Sequence, residues 1–244
     1  MKYQGIIFDL DGVICTTDEY HFQAWKALAD RLGIPFDRKR NNLLRGVSRM
    51  QSLEIILEKS DKTYTAEEKA AFAEEKNRLY RKLLGQMSPT DLSDDVKTTL
   101  TALRKIGIKL AIGSSSKNTP FILERIGLGS FFDAVADGNC ITHSKPHPEV
   151  FLKAAEMIGL PPAVCLVVED AHAGVEAAIA GGFDCAAIGD AKEDPRAVYH
   201  LTQISDLDFL SYRPDPLVLH DPPVMNYNPN LTAYDSLMGG EQHG

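Results

Sequence analysis

The chain has 244 residues, and its hydrophobic fraction of 44% and charged fraction of 25% are those of an ordinary globular protein. Its formal net charge of −8 argues against broad binding to nucleic acid or to anionic membranes, while leaving room for a basic pocket that holds a small phosphate. No apolar segment is long enough to span a bilayer, and the first residues lack the pattern of a signal peptide, so a cytoplasmic protein is expected.

The first apolar run, Gly5-Ile6-Ile7-Phe8, predicts a strand over 5–10 that is buried on both faces. It runs into Asp9-Leu10-Asp11-Gly12. Residues i and i+2 of a strand point the same way, so two carboxylates would lie side by side there. A fold tolerates that only where a cation, a proton or a positive ligand offsets the repulsion. A turn is the competing reading, because Asp and Gly favour turns.

Three helices follow. Phe22, Trp25, Ala29 and Leu32 have helical spacing over 18–32, with Gly33 as the stop. Met50, Leu53, Ile56 and Leu57 mark a second helix over 49–59. A capping box from Thr65 to Glu68 opens a third, which carries Phe72, Leu79 and Leu83 and ends near Gly85. From Ile108 onward, strands predicted at 108–113, 134–136, 164–168 and 185–188 alternate with helices near 94–106, 117–126, 148–158 and 172–181. That alternation predicts an α/β fold with a doubly wound parallel sheet. The domain reading is therefore a discontinuous core of residues 1–14 and 89–212, a helical cap over 15–88, and a proline-rich tail over 213–244 that is expected to be disordered.

In open parallel sheets, ligands bind beyond the carboxyl ends of the strands. Asp9 and Asp11, Ser114, and Glu169-Asp170 all lie at such ends, and Lys145 sits in a loop between the third strand and a helix. Each has a plainer reading: turn residues, a polar loop serine, a helix N-cap, a solvated lysine. Their joint appearance at one rim favours a site. Lys117 and Asn118 open the next helix, whose N-terminus favours anions. Cys15, Cys140, Cys165 and Cys185 form no CxxC pair and are expected to be reduced. His143, His147, His172, His200, His220 and His243 show no metal-ligand spacing along the chain and are expected to be structural or solvated.

FDLDGV, the serine of IGSSSKN, the lysine of SKPHP and the acidic pair of VVEDAHAG resemble the four motifs of the haloacid dehalogenase superfamily. EYHFQAWKALADRLGI, LLRGVSRMQSL, Lys76 and GSSSKNTPFILE are similar to its β-phosphoglucomutase branch, and the resemblance runs to about residue 210. It implies a Rossmann-like core, with Asp9 as the nucleophile that becomes an aspartyl phosphate and Asp11 as general acid/base. It implies Mg²⁺ held by Asp9, the Asp11 main-chain carbonyl, Glu169 and Asp170, and phosphoryl oxygens held by Ser114 and Lys145. It places Thr17, His21, Trp25, Ser115, Ser116, Lys117 and Asn118 at the substrate. Gly46, Val47, Ser48, Arg49, Ser52 and Lys76 would form a second phosphate site on the cap. Thr16, Thr17 and the loop near Met87-Ser88-Pro89 would be the hinges.

The implied activity interconverts β-glucose 1-phosphate and glucose 6-phosphate through β-glucose 1,6-bisphosphate, in a monomer that binds small sugar phosphates and neither nucleic acid nor membrane. A sugar-phosphate phosphatase using the same Asp9 is the alternative, and a non-catalytic phosphosugar-binding regulator is a third. This chain departs from relatives at Thr16, where Asp is frequent, and at Ala171, where Ser is frequent.

Overall fold

The computed structural model describes residues 2–211. The tail expected over 213–244 lies outside the described residues. Six parallel strands form one sheet: β1 (Gly5–Phe8), β2 (Lys109–Gly113), β3 (Ala134–Ala136), β4 (Cys165–Glu169), β5 (Asp184–Ala187) and β6 (Tyr199–His200), in the order β3-β2-β1-β4-β5-β6. Sequence reading found five of them. The two-residue β6 is too short to show a pattern.

Strand alternation splits the apolar residues between two cores, and that is why the runs are apolar throughout. Ile6, Phe8, Leu110, Ile112, Leu166 and Val168 face one cluster. There they meet α5 (Asp94–Lys105), α6 (Thr119–Arg125) and the C-terminal 3₁₀ turns of Ile204–Ser211. Ile7, Ala111, Val167 and Cys185 face the other, built with α7 (Glu149–Met157) and α8 (His172–Ala180). A doubly wound sheet with both faces covered is the predicted class. The four cysteines are free, and only Cys140 is exposed. No helix among the described residues is long and apolar enough to cross a membrane.

Between β1 and α5 the chain forms four helices rather than the three expected: α1 (Asp18–Leu32), α2 (Arg38–Asn42), α3 (Arg49–Leu57) and α4 (Ala66–Leu84). The five-residue α2, RKRNN, is polar and has no apolar period; Asp37 starts it by accepting the Arg40 N–H. The capping box at Thr65 and Glu68 is present as predicted, at 3.2 and 2.8 Å. Trp25, Leu28, Ala29, Leu53, Ile56 and Ala73 give these helices a core of their own. Tyr80 and Leu84 join them to the cluster under the sheet.

Candidate active site

β1 lies between β2 and β4, and chain order reverses on its two sides, so the crevice beyond its carboxyl end is where such sheets bind ligands. The register pairs Phe8 with Ile112 and with Val168. Asp9 therefore emerges level with Gly113 and Glu169, with Ser114 and Asp170 one step further along. The strand stops at Phe8, two residues before the predicted end. Strand alternation thus no longer governs Asp9 and Asp11, and the two carboxylates take different partners. The chain turns at Gly12, whose φ of 92° is left-handed; a Cβ there would run into the Asp170 carboxylate.

Lys145 is fully buried, not a solvated loop lysine. Its Nζ donates to Asp9 Oδ1 at 2.5 Å and to Glu169 Oε2 at 2.9 Å, and it lies 4.6 Å over the Phe151 ring. Burial works against the ammonium, but Asp9 and Glu169 outweigh it and hold its pKa above the usual lysine value. Burial pushes the Glu169 carboxyl up, with Lys145 opposing. Burial also pushes Asp170 up, reinforced by the charges of Glu169, Asp9 and Asp11.

Asp9, Glu169 and Asp170 bring carboxylate oxygens within 4.8 Å of one another, all three residues buried. The Lys145 ammonium and, 3.4 Å from Asp170, the Arg45 guanidinium oppose the three carboxylates only in part, and uncompensated charge is costly where it is buried. An all-oxygen, anionic donor set of this kind fits a hard divalent cation such as Mg²⁺. Glu169 and Asp170 are not a helix cap: Ala171 holds the N-cap position of α8, without a side-chain bond.

The Asp11 carboxylate is outside that trio. It accepts from the Thr17 N–H at 2.7 Å and from the Thr17 hydroxyl, which in turn receives the Tyr80 hydroxyl at 2.9 Å. His21 Nε2 lies 3.8 Å away, and Lys76 Nζ meets His21 Nδ1 at 2.9 Å. Although 29% of its side chain is reached from the cleft, burial by the surrounding walls raises the pKa of Asp11; the Thr17 bonds oppose this and Asp9 adds to it. Burial, then the Lys76 and Arg49 charges, keep His21 well below its ordinary pKa. Burial, reinforced by Arg49, depresses Lys76 likewise.

A cavity of about 520 Å³ separates the sheet rim from the helical insert. Asp9, Asp11, Ser114, Ser115, Ser116, Lys117, Asn118 and Asp170 line it from the sheet side. His21, Trp25, Gly46, Val47, Ser48, Arg49, Ser52 and Lys76 line it from the insert. Thr17, Lys145 and Glu169 stand behind the wall and reach the cleft through the side chains they hold. The Ser115 hydroxyl is buried without a hydrogen-bond partner among the described residues. Ser114 Oγ accepts from the Ser116 N–H at 3.2 Å, and the Asn118 side chain is committed to Asn77 and Arg81 of α4, at 3.0 and 3.1 Å.

Ser48 caps α3, and Arg49 occupies its first position, disfavoured for a cation. The Arg49 guanidinium reaches Glu74 only at 3.9 Å, and burial lowers its pKa. Lys76 is buried, with its Nζ 4.6 Å from the Trp25 ring centroid and 4.3 Å from that of Tyr80. Gly46, at φ 74°, brings the insert backbone against the core: a Cβ there would stand 3.5 Å from that of Ala171 and 3.7 Å from that of Ala173.

Sequence reading missed Arg45. Its guanidinium pairs with Asp18, with Asp190 at 2.6 Å and with Asp170 at 3.4 Å, joining the insert to the rim. It also missed Gln51, which accepts from the Ser144 hydroxyl across the cleft at 2.6 Å. The basic residue before Gly46 was the one available signal for Arg45; its acidic partners stand up to 145 positions away.

Comparison with known proteins bears on this arrangement. The model of the haloacid dehalogenase-like hydrolases matches residues 3–182. A β-phosphoglucomutase of Bacillus subtilis (strain 168) is 40% identical over 206 residues, covering 84% of this chain and 91% of its own. The fructose-1-phosphate phosphatase YqaB of Escherichia coli (strain K12) is 33% identical over 184 residues, covering 75% and 95%. A crystal structure of a β-phosphoglucomutase from Clostridium difficile superposes with a TM-score of 0.81 at 36% identity, covering 86% of this chain and 95% of that one. A rim of acids and one lysine beyond β1, under a helical insert, thus comes with a match over most of the chain: it belongs to the haloacid dehalogenase-like hydrolase family.

Proposed function

We propose that this chain is a β-phosphoglucomutase acting on small sugar phosphates. The observation that carries the reading is a cleft with two anion-receptive ends. Asp9 and Ser114 line the rim, with Lys145 bonded to Asp9 behind them, and Arg49 and Lys76 line the cleft from the insert, their pKa values lowered by burial. A phosphatase needs the first end only. A mutase must also grip a phosphate that is not being transferred, and a guanidinium whose one carboxylate partner among the described residues lies 3.9 Å away suits that task.

Phosphorylated Asp9 passes its phosphoryl group to the C6 hydroxyl of β-glucose 1-phosphate. The bisphosphate turns over within the cleft, and its C1 phosphoryl returns to Asp9, releasing glucose 6-phosphate. Asp11 takes the C6 hydroxyl proton in the first transfer and returns a proton to the C1 oxygen in the second. Its raised pKa favours both duties. Ser114 and Lys145 hold the phosphoryl oxygens, and the buried Ser115 hydroxyl extends that cradle. Asp9, Glu169, Asp170 and the Asp11 main-chain carbonyl would hold Mg²⁺, which when bound neutralises phosphoryl charge. The insert, hinged at Thr16-Thr17 and Met87-Ser88-Pro89, keeps water from the phosphoaspartate.

Relatives that are sugar phosphatases keep hydrolysis as the second reading. Incubation with β-glucose 1-phosphate, Mg²⁺ and a trace of β-glucose 1,6-bisphosphate separates the two. Glucose 6-phosphate is followed by coupled nicotinamide reduction and inorganic phosphate in parallel. Isomerisation well above phosphate release is expected. Dominant phosphate release assigns the phosphatase, and absence of both products excludes either enzyme.

A further inference from the structure

The loop that delivers Lys145 carries a cluster the phosphoryl chemistry does not use. His143 and His147, both exposed, stack with ring centroids 4.7 Å apart and an interplanar angle of 35°. Glu149, the first residue of α7, turns its carboxylate back on them. Its oxygens accept from the Thr142 N–H at 3.0 Å and the His143 N–H at 2.8 Å, and Oε2 lies 3.1 Å from His143 Nδ1. One ligand atom from each of the three residues lies within 4.8 Å of the other two. The histidines were expected to be solvated or structural, because HSKPHPE has no familiar ligand spacing. The fold of the loop, not the spacing, brings them together.

The geometry points to a second metal site, formed by His143, His147 and Glu149, that takes a borderline divalent ion such as Zn²⁺. Two imidazoles and one carboxylate are donors of that class, with an outer position left open to water. Mg²⁺ prefers oxygen and is poorly served here, so this site and the Asp9–Glu169–Asp170 trio select different ions. Zinc–ligand bonds of about 2.1 Å place tetrahedral ligand atoms roughly 3.4 Å apart. With all three ligand atoms already within 4.8 Å of one another, the approach needed is at most about 1.4 Å, a shift within reach of side-chain rotation at exposed imidazoles.

The backbone bonds to Glu149 also fit. They hold its pKa down to about 2, so the carboxylate is ionised at working pH, and they aim it as outer hydrogen bonds aim ligating carboxylates. On binding, the ion takes the place of the proton between His143 Nδ1 and Glu149 Oε2. Ser144 and Lys145 lie between the two histidines in the chain, so an ion there clamps the loop that reaches Asp9, Glu169 and Gln51.

This inference is independent of the transferred sugar. The full chain, held in excess Mg²⁺ to fill the carboxylate trio, is titrated with Zn²⁺ by calorimetry and with Co²⁺ by visible absorption. Wild type is expected to take up one Zn²⁺ and to show the bands of nitrogen-ligated Co²⁺. His143→Gln and His147→Gln are each expected to weaken uptake at least about tenfold, the lower bound for disturbing even an outer partner. Both positions are exposed, and melting curves verify that the variants fold. Uptake unchanged in either variant overturns the site, as does a wild type that binds no Zn²⁺ above Mg²⁺.

Discussion

Replacing Lys145 with Met tests the electrostatics of the rim most directly. The methionine keeps the aliphatic packing over Phe151 and removes the ammonium alone. Asp9 and Glu169 then lose contacts of 2.5 and 2.9 Å and stand buried beside Asp170. Breaking a buried pair on one side costs about 3–5 kcal/mol, because the abandoned charge stays desolvated. At roughly 2–4 °C per kcal/mol for a domain of this size, the metal-free melting temperature falls by roughly 6–20 °C. Differential scanning calorimetry in chelator reads this loss. Added Mg²⁺ should restore more stability to the variant than to wild type, because the ion then supplies the compensation that Asp9 and Glu169 lost with the ammonium. A variant that melts within about 2 °C of wild type in chelator would show that Lys145 does not hold these carboxylates together.

Other expected outcomes are as direct. Asp11→Asn keeps the shape and the oxygen that accepts from the Thr17 N–H, but turns the other oxygen into an amide donor and cannot shuttle a proton, so kcat falls about 10²–10⁴-fold while the fold is kept; wild-type turnover would remove the assignment. Arg49→Ala loses a charged hydrogen bond to the spectator phosphate, about 1.5–3 kcal/mol, or roughly 10–150-fold in mutase kcat/KM, with phosphate release from the phosphoenzyme largely kept. Equal losses in both activities would place Arg49 elsewhere in the mechanism. Asp194, buried against Arg196 and His172 at 2.7 Å to each, has its pKa lowered chiefly by the Arg196 bond. A carboxyl depressed on folding stabilises fully above its unfolded pKa of about 3.9 and loses that contribution as pH falls towards the folded value. Asp194→Asn should therefore flatten the acid side of the stability curve below about pH 5, and melts across that range showing unchanged steepness would refute the pairing.

The strands were legible because burial on both faces leaves no room for polar residues over 5–8 or 165–168. The rim was legible because its acids, serine and lysine sit at fixed offsets from those strands. What escaped was set by long-range geometry. The backbone stops being a strand at Phe8, which sends Asp11 to Thr17 instead of beside Asp9. The resemblance names Lys145, but its full burial between Asp9 and Glu169 shows only once the fold encloses it. Arg45 joins Asp18, Asp170 and Asp190 only once the insert is seated, and the His143–His147–Glu149 grouping depends on how one loop bends.

Gly46 has a reach beyond its own loop. The insert passes the core there with the methyls of Ala171 and Ala173 opposite, leaving room for one added carbon at ordinary contact distance and little beyond it. A valine at 46 would act as a doorstop, and the ratio of phosphate leaked to glucose 6-phosphate formed should climb. Fidelity in transferring to sugar rather than water would then be a property of fit between insert and core, adjustable at one position without replacing any group that handles the transferring phosphoryl.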